Sequence, residues 1–209
     1  EQGKPLMSAI GEVLGSAKWI QAMNMYSVPG PKVVQEDKSM RVEVHMRAVG
    51  VVGAICPWNY PVLLAMWKIA PAMICGCTMV LKPSPFTPLA TSLLGKVMAA
   101  ILPPGVVNTL TGGNELGQWM TAHPGFDKIS FTGSVPTGKA IQRSASSFVL
   151  RFVFVSAVGG GGSTGARVSA VAFLWCVCTA HPLHHAGAFT DTTDVRAATV
   201  MPPSRQPAR

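Results

Sequence analysis

An asparagine between two prolines is the first residue of this chain that could assist a reaction at a carbonyl group. It lies in Pro57-Trp58-Asn59-Tyr60-Pro61, directly after an apolar run that ends at Cys56. The prolines restrict the loop, and the side-chain amide of Asn59 can donate two hydrogen bonds to a developing oxyanion. An ordinary turn in which Asn59 caps the next helix is the alternative. We therefore expect Asn59 either to face a reacting carbonyl or to begin a helix.

Three further motifs carry groups that suit a dinucleotide. Lys82-Pro83-Ser84-Pro85 supplies a cation and a hydroxyl for a ribose and its neighbouring phosphate, with a solvated lysine at a strand end as the alternative. Thr111-Gly112-Gly113-Asn114 allows close approach of the backbone to a ligand. The segment from Phe131 to Gly138 opens a helix whose amides suit a pyrophosphate, and Ser134 can donate as well, although the G-x-G-x-x-G spacing is missing.

Short apolar strands that alternate with helical segments must position these motifs. The pattern predicts strands at 51–56, 78–82, 106–110 and 128–132, and helices at about 61–75, 87–101, 114–122 and 134–146. The strands are continuously apolar, as expected when both faces are covered. The predicted fold class is α/β, a Rossmann-like parallel sheet with helices on both faces. Because ligands bind beyond the carboxyl ends of such strands, Trp58, Lys82 and Ser134 should cluster at one edge.

A helix and a strand are predicted before this sheet. Residues 1–24 space apolar side chains for one packed face of an amphipathic helix: Leu6, Ile10, Val13, Leu14, Ala17 and Ile20. Residues 40–49 alternate apolar and polar side chains, which predicts a strand with one wet face in an antiparallel or edge arrangement. We divide the chain into an N-terminal segment at 1–49, a dinucleotide-binding domain at 50–147 and an atypical tail at 148–209.

In order and spacing, "PWNYP", "KPS" and "FTGS" resemble the cofactor-binding half of NAD(P)-dependent aldehyde dehydrogenases, and the resemblance covers residues 1–147. It implies an incomplete aldehyde dehydrogenase fold, NAD or NADP as cofactor, and oxidation of aldehydes to carboxylic acids. It also implies that Asn59 is the oxyanion-hole amide. The implied cofactor contacts are Cys56, Pro57, Trp58, Lys82, Pro83, Ser84, Pro85, Gly112, Gly113, Phe131, Thr132, Gly133, Ser134 and Gly138.

The covalent chemistry of that family needs two residues that this chain does not carry in place. A cysteine thiolate of a Gly-Gln-x-Cys segment attacks the aldehyde, and a glutamate of a Glu-Leu-Gly-Gly strand activates water; both follow "FTGS". Glu115-Leu116-Gly117 and Gly117-Gln118-Trp119-Met120 imitate these motifs but precede Phe131. We therefore predict a truncated, inactive chain. A non-catalytic dinucleotide-binding or subunit-interaction module is the alternative.

Composition limits the partners. The net charge is +8, yet Lys and Arg are scattered and no cluster interleaved with aromatics indicates nucleic-acid binding. The longest apolar run, Val168 to Val177, is too short to span a bilayer. Five cysteines at irregular spacing, without an N-terminal signal segment, favour a reducing compartment, and we expect the cytoplasm. The resemblance to aldehyde dehydrogenases also implies an aldehyde substrate and, for intact members of that family, a homo-oligomer.

The last sixty or so residues do not continue the α/β pattern. We predict that the tail after Ser147 has no stable core of its own, does not extend the parallel sheet in the manner of the family that the chain resembles, and is disordered over its last twenty or so residues. Gly159 to Gly162 favour a flexible linker. The cysteines and histidines of the tail do not form a common zinc pattern, so no metal site is predicted among Cys176, Cys178, His181, His184 and His185.

Overall fold

Strands and helices alternate through the middle of the chain. The computed structural model describes residues 1–38, 40–145, 153–157, 178–180 and 199–201. The helices are α1 (Leu6–Met23), α2 (Pro61–Ile74), α3 (Pro88–Ile101), α4 (Asn114–Ala122) and α5 (Val135–Ala145). The strands are β1 (Lys32–Glu36), β2 (Arg41–Val44), β3 (Met46–Ala48), β4 (Val51–Ile55), β5 (Thr78–Lys82), β6 (Val107–Thr109), β7 (Lys128–Gly133), β8 (Val153–Ala157), β9 (Cys178–Ala180) and β10 (Thr199–Met201).

Five parallel strands form the main sheet, in the order β6-β5-β4-β7-β8. The strands that we predicted between residues 51 and 133 supply four of the five, so the predicted α/β fold is confirmed. From β4 the chain builds outward through β5 to β6, and it then returns to the other side of β4 as β7. The order of the strands therefore reverses between β4 and β7, which is where open α/β sheets bind their ligands.

Helices cover both faces of this sheet, as predicted. Val52 and Ala54 of β4 pack in one buried cluster with Ile69 of α2. Ile55, which points the other way, packs in a second cluster with Met120 of α4. Successive residues of a strand point to opposite faces, so a strand covered on both sides must be apolar at every position. That requirement explains why the continuous apolar runs of the sequence marked the strands.

A glycine and an aspartate fix the start of the central strand. Gly50 has a φ of 120°, a conformation that residues with a side chain rarely adopt. Directly after it, the amide of Val51 donates to Asp127 Oδ2 at 2.8 Å, and the amide of Asp127 donates to the Val51 carbonyl at 2.9 Å. These bonds set the pairing of β4 with β7 at the end of the sheet opposite to the four motifs.

The N-terminal helix forms where the sequence predicted it, but the prediction of a packed apolar face is wrong. Leu6 is 74% exposed and Val13 is 56% exposed, whereas Glu12 and Ser16 are buried. The buried side of α1 carries Glu12, Ser16 and Met23, and the Glu12 carboxylate accepts main-chain hydrogen bonds from the start of α2. Spacing identified the helix correctly and misidentified its buried side.

The predicted strand at 40–49 is divided. It forms β2 and β3, and β2 pairs antiparallel with β1, a strand that the sequence did not reveal. All five residues of β1 are exposed, so no burial alternates along it and no period of two marks it. The antiparallel arrangement was predicted correctly, and β10 and β9 also pair antiparallel with β2 and β3.

The prediction that residues after Ser147 do not extend the sheet is wrong. Strand β8 pairs in parallel with β7, from Ile129 opposite Val153 to Gly133 opposite Ala157. A run of β-branched and aromatic residues, Val153-Phe154-Val155, suits a strand, and β7 would otherwise present an open edge.

Residues 199–201 form β10, which contradicts the predicted disorder at those three positions. Gly159 to Gly162 and most of the Cys176 to His185 cluster lie outside the described residues. The divisions at residues 49 and 147 stay predictions. Within the part of the chain that the structure describes, no helix is both long enough and apolar enough to cross a membrane.

Candidate functional site

Three of the parallel strands end level with one another, and this brings the motifs to one edge. Ile55 of β4 is in register with Lys82 of β5 on one side and with Phe131 of β7 on the other. On the next strand out, the Leu110 amide donates to the Leu81 carbonyl at 2.9 Å. The loops that contain Trp58, Lys82 and Ser134 therefore leave the same edge of the sheet, as the sequence predicted.

Asn59 does not cap a helix, so the alternative interpretation of its motif is wrong. Helix α2 begins at Pro61, and its N-cap residue Tyr60 makes no capping hydrogen bond with its side chain. The Asn59 Oδ1 atom is buried and has no hydrogen-bond partner among the described residues. Trp58 beside it is 53% exposed, and Pro57 is half-buried. A buried acceptor without a partner is costly unless something else binds it, so Asn59 Oδ1 is available to a donor group of a ligand.

The N-terminal segment holds the Asn59 loop from outside the sheet. The Asn59 carbonyl accepts hydrogen bonds from Lys4 Nζ at 2.8 Å and from Gln2 Nε2 at 3.1 Å. One oxygen of Glu12 accepts from the Val62 amide at 2.8 Å, and its other oxygen pairs with Lys4. The sequence reasoning missed these contacts. The signal was an acidic residue, Glu12, among the apolar positions of α1.

The Lys82 side chain is buried, so the alternative of a solvated lysine is wrong. It is 4% exposed, its Nζ donates to the Pro83 carbonyl at 3.3 Å, and burial lowers its pKa. Its stem lies beside Gly117 of α4, where an added Cβ would be 3.9 Å from Lys82 Cε. Ser84 Oγ accepts from the Phe86 amide at 3.3 Å. Pro83 is buried and Pro85 is exposed at the same turn.

The glycines of the third motif differ in what surrounds them. A Cβ added at Gly112 would lie 2.8 Å from Leu116 Cδ2, so this glycine lets α4 pack closely. A Cβ added at Gly113 would meet nothing within 4 Å among the described residues. Gly113 is exposed and is the N-cap residue of α4. Of the two, only Gly113 presents open backbone to a ligand.

The fourth motif joins the end of β7 to the start of α5. Phe131 is buried, and its ring lies 2.5 Å from where a Cβ on Gly133 would be, so a side chain does not fit there. Ser134 Oγ is hydrogen bonded to Thr137 Oγ1 at 2.8 Å and lies within 3.4 Å of the Thr137 amide. The Gly138 amide donates to the Ser134 carbonyl at 3.0 Å. Ser134 thus caps α5 and keeps its hydroxyl at the exposed edge.

A buried lysine beneath this edge escaped the sequence reasoning. Lys68 is the single charged residue of α2, and its Nζ donates to Ser130 Oγ at 3.1 Å and to Thr132 Oγ1 at 2.8 Å. Burial lowers the pKa of Lys68 to about 8 and raises the pKa of the Cys56 thiol to about 11. A lone charge in an apolar helix was the available signal. The Cys56 thiol stays protonated at neutral pH, so it is not a nucleophile.

The titration of Lys68 predicts how stability changes with pH. An exposed lysine in the unfolded chain holds its proton to about pH 10.4. Above the native pKa of about 8, the unfolded state therefore binds more protons, and the free energy of unfolding should rise with pH. Cys56 acts in the opposite sense above its ordinary pKa of 9.0, because its native pKa is about 11. The rise should therefore be clearest between about pH 8 and pH 9.

Urea unfolding at these two pH values checks this. Lys68→Met should reduce the rise and leave the part that comes from Lys82, whose pKa burial also lowers, whereas Lys18→Met, a change at an exposed position of α1, should keep the full rise. Equal slopes in the two variants would show that Lys68 titrates normally in the native chain.

The two sequence stretches that imitate catalytic motifs lie elsewhere. Glu115-Leu116-Gly117 and Gly117-Gln118-Trp119-Met120 are both on α4, not on a strand after β7. Cys75 and Cys77 are buried, as predicted. Among residues 1–38 and 40–145, no three His, Cys, Asp or Glu side chains are grouped to hold a metal ion.

Known proteins are similar to this chain in sequence. Aldehyde dehydrogenase LUC3 from a Fusarium species is 39% identical over 157 residues, which are 75% of this chain and 32% of that protein. Betaine aldehyde dehydrogenase 1 from Oryza sativa is 55% identical over 103 residues, 48% of this chain and 20% of that protein. The chain thus spans about a third or less of the length of these relatives.

Solved structures are similar to this chain in fold as well as in sequence. Betaine aldehyde dehydrogenase from Staphylococcus aureus, in complex with NAD+, has a TM-score of 0.71 and 32% identity, over 76% of this chain and 32% of its own. Glyceraldehyde-3-phosphate dehydrogenase from Methanocaldococcus jannaschii, complexed with NADP, has a TM-score of 0.69 and 32% identity, over 76% and 35%. The aldehyde dehydrogenase family model matches residues 1–164, beyond residue 147 where our resemblance ended. On these grounds, the chain belongs to the aldehyde dehydrogenase family.

Proposed function

We propose that this chain binds NAD or NADP at the edge where β4, β5 and β7 end, as the cofactor-binding part of an aldehyde-oxidising oxidoreductase. The observation that carries the proposal is the register of Ile55 with Lys82 and Phe131, which gathers the motifs at the switch point of the sheet. Family membership supports it, and two structurally similar members are complexed with NAD+ and NADP.

Each end of the dinucleotide has candidate partners. Lys82 and Ser84 would meet the adenosine ribose, and the open backbone at Gly113 would line the adenine side. Ser134 and the first amides of α5 would meet the phosphates, where the helix N-terminus favours negative charge. Trp58 would flank the cofactor. Contacts of the remaining predicted residues stay proposals: Cys56, Pro57, Pro83, Pro85, Gly112, Phe131, Thr132, Gly133 and Gly138.

Asn59 would face the reacting carbonyl and donate to it through Nδ2, because it follows β4 at the edge where the motifs meet and does not cap α2. The choice between NAD and NADP stays open. Family members that prefer NAD often place a carboxylate three residues after the lysine to bind the ribose hydroxyls and repel a 2′-phosphate. This chain has Pro85 there, which can do neither.

The covalent step is not proposed for this chain. Strand β8 follows "FTGS" and ends at Ala157, and the sequence continues Val158-Gly159-Gly160. Ala157 thus stands where Glu-Leu-Gly-Gly has its glutamate, and an alanine cannot activate water. A non-catalytic dinucleotide-binding or subunit-interaction module is therefore the second candidate function.

Fluorescence titration with NADH and NADPH tests cofactor binding. Lys82→Met keeps the buried stem and removes the charge, so affinity for at least one dinucleotide should fall about tenfold or more. Lys96→Met is the matched control, because Lys96 lies exposed on α3, and it should bind as the unchanged chain does. Equal affinity of the unchanged chain and Lys82→Met would contradict the assignment of the site.

The location and the assembly of the chain are also proposals. The buried free thiols Cys56, Cys75 and Cys77 suit a reducing compartment such as the cytoplasm. We propose homo-oligomers as in the intact family, with α1 and the β1–β2 hairpin as contact elements.

A further inference from the structure

We infer that Lys4 and Glu12 are positioning residues that hold the Asn59 loop in its ligand-binding shape, an inference that rests on the proposed function. Both residues lie outside the parallel sheet, in the segment that begins the chain. They contact Asn59, Tyr60 and the start of α2. In the described part of the chain, no hydrogen bond joins them to a residue that we propose as a dinucleotide contact. Their effect on a ligand must therefore pass through Asn59.

Glu12 connects two parts of the loop. Its Oε1 atom accepts from the Val62 amide at 2.8 Å and from the Leu63 amide at 3.2 Å, so it caps α2 from another helix. Its Oε2 atom pairs with Lys4. Because Glu12 supplies the cap, the asparagine two residues before α2 does not have to.

Lys4 connects Glu12 to the Asn59 main chain. Its Nζ donates to the Asn59 carbonyl at 2.8 Å and lies 3.9 Å from the centre of the Tyr60 ring. The carbonyl of Asn59 is thereby fixed, which leaves the side-chain amide of the same residue to turn toward a ligand. Lys4 and Glu12 are largely buried, at 15% and 5% side-chain exposure, so water competes little for these bonds.

The packing of α1 supports this role. The helix buries Glu12 and leaves the apolar residues Leu6 and Val13 exposed. Burial of a carboxylate costs free energy unless it is paired and hydrogen bonded, and here the partners are Lys4 and the start of α2. The buried Glu12 carboxylate is thus directed at the start of α2, where the Asn59 loop ends.

Three variants of the full chain test the inference. Lys4→Met removes the charge and keeps the stem, Glu12→Gln keeps an oxygen for the Val62 and Leu63 amides but loses the pairing with Lys4, and Lys18→Met is the exposed control. Hydrogen exchange of the Val62 and Leu63 amides should quicken about tenfold in Lys4→Met but not in Lys18→Met.

Two ligands separate positioning from general stability. NADH carries the nicotinamide, which must approach the carbonyl that Asn59 would face in order to exchange hydride with it, and ADP-ribose lacks the nicotinamide. Under conditions where every variant is folded, Lys4→Met and Glu12→Gln should each weaken NADH binding roughly five- to tenfold and leave ADP-ribose binding unchanged. The double variant should be no weaker than Lys4→Met alone, because Lys4→Met already removes the pairing with Glu12.

Equal weakening of both ligands, or none, would overturn the inference and assign the pair a purely structural role. If the unchanged chain binds neither ligand, the proposed function fails. In that case the exchange rates of Val62 and Leu63 still decide whether Lys4 and Glu12 hold the loop.

Discussion

The purified 209-residue chain is expected to form no NADH or NADPH from aldehydes. Cys56 is buried with a pKa raised to about 11, and Cys75 and Cys77 are buried as well, so none of these thiols offers an exposed thiolate. The sequence also has no glutamate after "FTGS" that could activate water. Loss of the nucleophile from a covalent mechanism costs on the order of a millionfold in rate.

Steady-state absorbance at 340 nm over a panel of aldehydes, with each dinucleotide, measures this. Cys56→Ala serves as the control, because Cys56 directly precedes the loop that contains Asn59. Turnover that disappears in Cys56→Ala would show that its thiol is the nucleophile and that our assignment of a protonated, inert Cys56 is mistaken.

Gly50→Ala is expected to destabilise the parallel sheet strongly. Gly50 has a φ of 120°, and an added Cβ would overlap Asp127 Oδ2, the acceptor of the Val51 amide. Backbone strain of roughly 1–3 kcal/mol would combine with loss of that hydrogen bond, about 1–3 kcal/mol more. We expect the free energy of unfolding in urea to fall by about 3 kcal/mol or more.

Gly105→Ala is the matched control. Gly105 also has a positive φ, of 85°, but no described atom lies within 4 Å of its added Cβ. It should lose only the strain contribution, about 1–2 kcal/mol. If both variants lose the same amount, the Asp127 contact contributes nothing to the pairing of β4 with β7.

The sequence predicted the sheet well because burial on both faces leaves a clear pattern. The continuous apolar runs around Val52, Val80 and Ile129 could form neither half-exposed strands nor long helices, and a polar motif followed each of these three runs. Parallel strands then bring such motifs to one edge without any knowledge of side-chain contacts.

The features that the sequence did not predict depend mostly on contacts between residues that are far apart in the sequence. Nothing in the local sequence shows that Glu12 caps a helix that begins at Pro61, or that Lys68 of α2 contacts Ser130 of β7. The same limit applies to the apolar stripe of α1, whose spacing gives a helix but not the side that is buried. Strand β8 was not predicted, because the composition changes abruptly near Ser147 and this change obscures the β-branched run that follows.

The place of β4 in the sheet also bears on how the chain folds as it is synthesised. Its partner β5 follows after a single helix, α2, but the hydrogen bond from the Val51 amide to Asp127 joins residues that are 76 positions apart. Loop closure over that distance makes this the late contact, whereas β4, β5 and β6 can pair as soon as they leave the ribosome. Until β7 arrives, one edge of the most apolar strand is open to other nascent chains. Slower translation between residues 82 and 128 would therefore increase aggregation, and chaperones that cover strand edges would have their largest effect in that interval.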